Sequence, residues 1–184
     1  KSRFPNKLIN HTKEPGGTEI ADAIRKAVQG TKFEEHMEPI CEAYLYAASR
    51  AQSLRVVVKP VLDQNGIVIS DRSFYSSLAV QGYGHGVDPQ IILDINKTAV
   101  SNFQPDIIIY LEGNLTKLIN RSFDPHGDKF ESYPLDFYKR VKAGYDELFS
   151  KEHNITTVYR FNAEEEITSL SDKIFEVVIK NIKQ

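Results

Sequence analysis

Residues 67–86 read IVISDRSFYSSLAVQGYGHG, and this stretch decides how the rest of the chain is read. Its β-branched opening, Ile67 to Ile69, ends in Ser70, Asp71 and Arg72. A small-residue helical pattern follows, up to glycine punctuation at Gly82, Gly84 and Gly86. A buried strand that ends in charged residues and turns directly into a helix builds an α/β active-site edge, because ligands sit beyond the carboxyl ends of parallel strands. Two readings fit Arg72: an anion clamp at the end of the strand, or a surface ion pair with Asp71.

The flanking segments repeat the alternation of strand and helix. Upstream, residues 8–11 are expected as a short strand. Residues 12–18, TKEPGGT, form a loop dense in turn formers, whose Pro-Gly-Gly admits tight backbone angles and close approach of a ligand. Thr18 is expected to cap a helix with Ile20, Ile24, Ala27 and Val28 inward, ended by Gly30. A long helix from Pro39 carries Ile40, Tyr44, Ala47, Ala51, Leu54 and Val58 as its core stripe, with Tyr46, Arg50 and Ser53 on a neighbouring face. An aromatic four residues before an arginine offers a stacking plane and a fork of donors for a planar heterocycle; it equally fits a cation–π surface pair.

Downstream, Asp88-Pro89 reads as an N-cap with proline at N1, opening a helix with Ile92, Ile95, Ala99 and Phe103 inward. Residues 107–111 are an unbroken apolar run, expected of a strand covered on both faces. There follow a short helix over 115–121, a polar loop over 122–129, and a helix through Phe130, Phe137, Val141, Tyr145 and Leu148. A strand over 156–161 and a last helix, capped by Asn162 with Ile167, Leu170, Ile174, Val177 and Val178 inward, close the pattern. Strands alternating with helices mean a parallel sheet covered on both faces, an α/β fold. The polar loop suits an exposed lid. Asp128 and Glu131, three apart where a helix begins, fit either capping or a carboxylate pair near a metal or phosphate.

At 184 residues the chain is expected to form one domain, 1–184. A net charge of −2 supplies no basic field for nucleic acid or a membrane surface. Cys41 is the only cysteine, so no intrachain disulfide forms, and a helical setting suggests a packed small hydrophobe rather than a nucleophile. With no run of 18 apolar residues and no signal-like segment, the expected location is cytoplasmic.

Six separated segments, in order, resemble the thymidylate kinase family of nucleoside monophosphate kinases. Residues 12–18 (TKEPGGT) resemble its TREPGGT, and 44–52 (YLYAASRAQ) its LLFAADRAQ helix. Residues 71–82 (DRSFYSSLAVQG) are similar to DRYxxSSLAYQG, with GYGHG standing for GYGRG. PDIIIYLE at 105–112, DKFE at 128–131 and FYKRVKAGYDEL at 137–148 match PDLTIYLD, DRFE and FxxRVRxGYLEL. The resemblance implies a P-loop kinase-like parallel sheet, nominally of five strands, with helices on both faces and a lid near 121–131. It implies transfer of the γ-phosphate of ATP to thymidine monophosphate, with Mg²⁺, in a homodimer, for which the long helices are suitable.

Residue by residue, the resemblance places Tyr46 on the thymine ring, Arg50 on the base edge and Arg72 on the monophosphate. Glu14, Pro15, Ser77, Val80 and Gln81 fall in the substrate pocket. Asp128 and Phe130 fall beside the substrate, and Glu131 near the metal. Arg121 and Lys129 flank the lid, where cations neutralise charge on the transferring group.

The departures are specific. Lys13 and Lys129 keep a charge but lose the planar fork of arginine. His85 replaces the arginine of GRG, and Ser49 replaces the acid before the helix arginine. Val80 stands where the family has a tyrosine against the deoxyribose, a gap that Phe74 or Tyr75 is expected to fill. None of the ten glycines precedes a Lys-Ser or Lys-Thr pair, so the GxxGxGK[ST] phosphate cradle is not in this sequence. The expectation is that about 25–30 further residues precede Lys1 and supply the central strand and that cradle, and that residues 1–184 alone do not turn over. The alternatives are a monophosphate-binding module without ATP chemistry, and a kinase of another nucleoside monophosphate.

Overall fold

The computed structural model describes Phe4 and residues 7–30, 33–122, 129, 133–150 and 156–182. The chain alternates as expected. Strand β1 (Ile9–Lys13) leads to α1 (Glu19–Gln29), then α2 (Pro39–Ser53), which continues through a π-helical segment, Leu54–Val58, into α3 (Lys59–Leu62). Strand β2 (Ile67–Asp71) turns into α4 (Phe74–Ser77) and a second π-helical segment, Leu78–Gly84. Then come α5 (Pro89–Val100), β3 (Ile107–Glu112), α6 (Leu115–Ser122), α7 (Leu135–Leu148), β4 (Thr157–Asn162) and α8 (Ile167–Asn181).

The four strands among the described residues pair in parallel, in two ladders. β1 pairs with β2, Ile9 opposite Ile67 and Lys13 opposite Asp71. β3 pairs with β4, Ile107 opposite Thr157. Among the described residues β2 and β3 each have a ladder neighbour on one edge only. This corrects the expected burial of residues 107–111. The run is half-buried, and Leu111 is 46% exposed, as is Ile69 of β2 at 52%. A strand paired on one side cannot be enclosed as a central one is.

Several local signals hold. The Thr18 side chain accepts from the Ala21 amide, and Asp88 accepts from that of Gln90, each satisfying a donor left free in a first helical turn. Asn162 does not cap the last helix. It ends β4 and accepts from Glu164 N, and Glu166 caps α8 four residues later. α8 buries none of its residues: Ile167 is 81% exposed, and Leu170, Ile174, Val177 and Val178 are half-covered. α7 begins at Leu135, and Phe130 lies outside the described residues. Cys41 is exposed, because the side of α2 that turns inward is the other one.

The core lies between α2, α4 and α5, where Ala43, Phe74, Leu78, Ile92 and Val100 meet. Enclosing a side chain such as Ile92 is worth about 1.5–3 kcal/mol. α7 locks against the second π-helical segment through two glycines. A Cβ on Gly84 would lie 2.8 Å from Phe137 and Val141, and one on Gly144 would lie 2.6 Å from Tyr83. Arg140 then donates from Nε and Nη2 to the Gly84 carbonyl at 3.1 and 2.8 Å.

Candidate active site

The inward face of α2 is polar. Glu42, Tyr46, Ser49, Arg50 and Ser53 are buried, whereas Ile40 and Tyr44 of the expected core stripe are 40% and 60% exposed. Both faces keep helical spacing. The polar one turns inward because Glu42, Tyr46, Ser49 and Arg50 each find a partner there, without which burial would be costly; Ser53 Oγ is buried without one among the described residues.

Arg50 is the centre of that arrangement. Its Nε donates to Glu14 Oε2 at 2.7 Å, with the two side chains 2% and 6% exposed. Nη1 donates to Asn96 Oδ1 of α5, and Nη2 donates to Ser77 Oγ at 3.1 Å. Asn96 is held in turn by its Nδ2 donating to the Ile92 carbonyl at 2.8 Å. The guanidinium therefore ties the loop after β1, α2, α4 and α5 together, and three of its five N–H donors are used in doing so. This removes the surface cation–π reading of Tyr46 and Arg50. Tyr46 is itself buried, and its hydroxyl accepts from Gln29 Nε2 at 3.1 Å.

The TKEPGGT loop closes over the same place. Glu14 N donates to the Asp71 carbonyl at 2.9 Å, which joins the carboxyl ends of β1 and β2. The Glu14–Pro15 peptide is cis. Arg25 Nη1 donates to the Pro15 carbonyl at 3.0 Å. Ser49, in place of the family acid, accepts from Gly16 N at 3.1 Å and lies 3.3 Å from the Ala21 carbonyl to which it donates. Gly17 has φ 90°, and a Cβ there would stand 2.4 Å from Thr12 Oγ1, so the loop excludes a side chain at this point.

Arg72 follows β2 at the same edge. It is exposed, and among the described residues no ion pair joins it to Asp71. Its backbone has φ 72°, in the left-handed region that a non-glycine residue adopts at a cost of about 1–3 kcal/mol. Ser70 Oγ donates to its carbonyl at 2.8 Å and helps hold that conformation.

Ser77 and Gln81 lie four apart along the helix that starts at Phe74, both 1% exposed. Gln81 Nε2 donates to Glu42 Oε1 at 2.7 Å. Val80 is buried beside them. Phe74 belongs to the core cluster, and Tyr75 packs on that cluster with its ring 5.3 Å from Phe149.

His85 is 11% exposed, with Nε2 3.7 Å from Glu42 Oε1 and its ring against Tyr133 and Phe137. Burial holds its imidazole below the ordinary value; Lys129, His36 and Arg140 push the same way, and Glu42 opposes them.

Of the lid residues, Lys129 pairs with Glu42 Oε2. Arg121 Nη1 donates to the Ala163 carbonyl at 2.8 Å, tying α6 to the turn after β4. Asp128, Phe130 and Glu131 lie outside the described residues. Among the described residues no group of three or more His, Cys, Asp or Glu side chains converges on a metal position, and no helix is long and apolar enough to cross a membrane.

Two members of the site were missed in the sequence. Glu42 stands four and eight residues before Tyr46 and Arg50, a spacing that puts it on their face. Asn96 is the one amide within the apolar stripe of α5 that runs through Ile92, Ile95 and Ala99.

A glycine-rich turn at the carboxyl ends of parallel strands, facing a buried arginine and an aromatic of α2, lies where α/β proteins bind their ligands. The family model described as thymidylate kinase matches residues 1–174. A thymidylate kinase of Prochlorococcus marinus (strain NATL2A) is 35% identical over 176 residues, covering 96% of this chain and 82% of that protein. One from Wolbachia pipientis is 32% identical over 172 residues, covering 94% and 80%. The chain belongs to the thymidylate kinase family, a family of kinases that phosphorylate thymidine monophosphate from ATP. The crystal structure of thymidylate kinase from Ehrlichia chaffeensis shares the fold, with a TM-score of 0.70 at 24% identity over 92% of this chain and 81% of that one.

Proposed function

We propose that this protein transfers the γ-phosphate of ATP to thymidine monophosphate, with the acceptor held between α2, the TKEPGGT loop and the Ser77–Gln81 face. The observation that carries this reading is Arg50, fixed by Glu14, Asn96 and Ser77 with donors to spare for a planar base. Tyr46, one turn away, supplies a ring for stacking. Arg72 grips the monophosphate, placing its oxygen for attack on the γ-phosphorus. One P–O bond forms there as the bond to the β-phosphate oxygen breaks and ADP leaves. The work of such a site is positioning and charge neutralisation, to which Lys129 and Arg121 contribute. Asp128, Phe130 and Glu131 complete the acceptor side and the Mg²⁺ site in this reading, and no step here is routed through the metal. A homodimer in the cytoplasm belongs to the same proposal.

Val80 favours a second reading, in which the acceptor is another nucleoside monophosphate. A coupled ADP-release assay on the full-length natural protein, with ATP and Mg²⁺, tests both. Turnover with thymidine monophosphate above the no-acceptor background is expected, and its absence overturns the proposal. Faster turnover with uridine or cytidine monophosphate than with the deoxynucleotides establishes the second reading instead.

A further inference from the structure

Among the described residues two ion-paired carboxylates are buried, Glu14 at 6% and Glu42 at 1% exposure; every other one is at least 30% exposed. Glu14 fixes Arg50, a cation of the proposed acceptor site. Glu42 holds a second cation, Lys129, which lies 87 positions away and is itself 19% exposed. Nothing in the proposed reaction uses Glu42 directly.

An ionised carboxylate this deep is costly unless it is paired and hydrogen-bonded. Both partners come from outside α2. Gln81 Nε2 donates to Oε1 at 2.7 Å, and Lys129 Nζ donates to Oε2. His85 Nε2 stands 3.7 Å from Oε1 and has no hydrogen-bond partner among the described residues. Burial keeps that imidazole below its ordinary pKa, so at neutral pH Lys129, rather than the histidine, balances the charge on Glu42.

A lysine needs such an anchor more than an arginine does. Its ammonium is a point charge on a flexible stem, whereas a guanidinium presents a rigid fork. A surface pair such as Lys59 and Asp63, at 52% and 58% exposure, does not fix an ammonium, because water replaces either partner. Glu42 is different: the helix backbone holds it from one end and Gln81 holds its other oxygen.

We propose that Glu42 is a positioning residue for phosphoryl transfer that acts through Lys129: the buried carboxylate fixes the ammonium where it neutralises charge on the transferring group, and itself touches no substrate. The inference rests on the role given to Lys129 above. Positioning supplies much of the catalysis at a site of this kind, so an ammonium held in place does more than one that moves with its stem.

The test is a double-mutant cycle in the full-length natural protein, with wild type, Glu42→Gln, Lys129→Met and the double variant. Turnover is followed by ADP release at saturating ATP, Mg²⁺ and thymidine monophosphate, and affinity for thymidine monophosphate by calorimetry. Melting curves place the rates on folded protein. E42Q is expected to lower kcat about tenfold or more, and to change the dissociation constant by a smaller factor. In the K129M background the same substitution should change kcat by no more than about twofold, because no ammonium is left to place. Any effect of E42Q exerted through Gln81 is present in both backgrounds and drops out of the comparison. K129M strands Glu42 as a buried acid, so the double variant should melt above it. Where K129M does not fold, Glu42→Asp decides: the charge stays but the ammonium is drawn back by one methylene, and kcat should again fall about tenfold.

Equal fold losses from E42Q in the two backgrounds, or an E42Q or E42D enzyme as fast as wild type, overturn the inference. K129M as fast as wild type overturns the role of Lys129 beneath it. Wild type without turnover overturns the proposed function itself, so the three failures are distinguishable.

Discussion

The two strand pairs carry their charges in opposite ways. Beside β1 and β2, Arg50 and Glu14 pair at 2% and 6% exposure, with amide and hydroxyl partners completing the guanidinium. Beside β3 and β4, Arg160 pairs with Glu112 at 2.6 Å while both are about one-third exposed, and the guanidinium lies 5.1 Å from the Tyr110 ring. Water screens the second pair and would replace either partner if it were lost. Nothing replaces a partner in the first. The buried arrangement is therefore complete or ruinous, whereas the exposed one is an addition to a sheet that stands without it.

The sharpest break of that contrast is Arg50→Ala, which strands Glu14 as a buried acid. It should cost about 3–5 kcal/mol in urea unfolding and abolish measurable binding of thymidine monophosphate. A loss below about 1 kcal/mol would put Arg50 in the same class as Arg160. Next in size is Arg72→Ala. The side chain is exposed and leaves no buried partner, so affinity for thymidine monophosphate should fall about 10–100-fold by titration with no loss of urea midpoint. Arg160→Ala should cost no more than about 1 kcal/mol and leave nucleotide affinity unchanged.

The smallest effect is in pH. The folded His85 pKa lies below its ordinary value, so the unfolded chain takes up a proton first as the solution is acidified. Its contribution to stability is full above the ordinary imidazole value of 6.5 and is lost as pH falls from there toward the depressed folded value. Melting temperatures followed downward from about pH 8 should drop more steeply in wild type than in His85→Gln. Parallel curves would mean that His85 contributes nothing to the acid limb.

Much of this fold was legible because it rests on local signals. The caps at Thr18 and Asp88 and the apolar runs that became β2 and β3 are read from a few adjacent residues. The interior of α2 was not legible in that way. A hydrophobic stripe through Ile40 and Tyr44 is the natural choice from periodicity, yet the helix turns its polar face inward, and only partners distant in sequence make that favourable. Glu14 is 36 positions from Arg50, Asn96 is 46, and Gln81 is 39 from Glu42. No window along the chain contains those pairs. Arg72 was recognisable by its place after a strand, but its backbone angle was not.

That angle bears on what selection can do at the position. Position 72 suits glycine by conformation and arginine by chemistry. A library randomised there and sorted only for survival at raised temperature should drift toward glycine or asparagine, the residues most at ease in the left-handed region. The same library sorted for phosphorylation of thymidine monophosphate should keep arginine. The divergence between the two pools would measure how far the molecule departs from its most stable backbone to keep a cation at the end of β2.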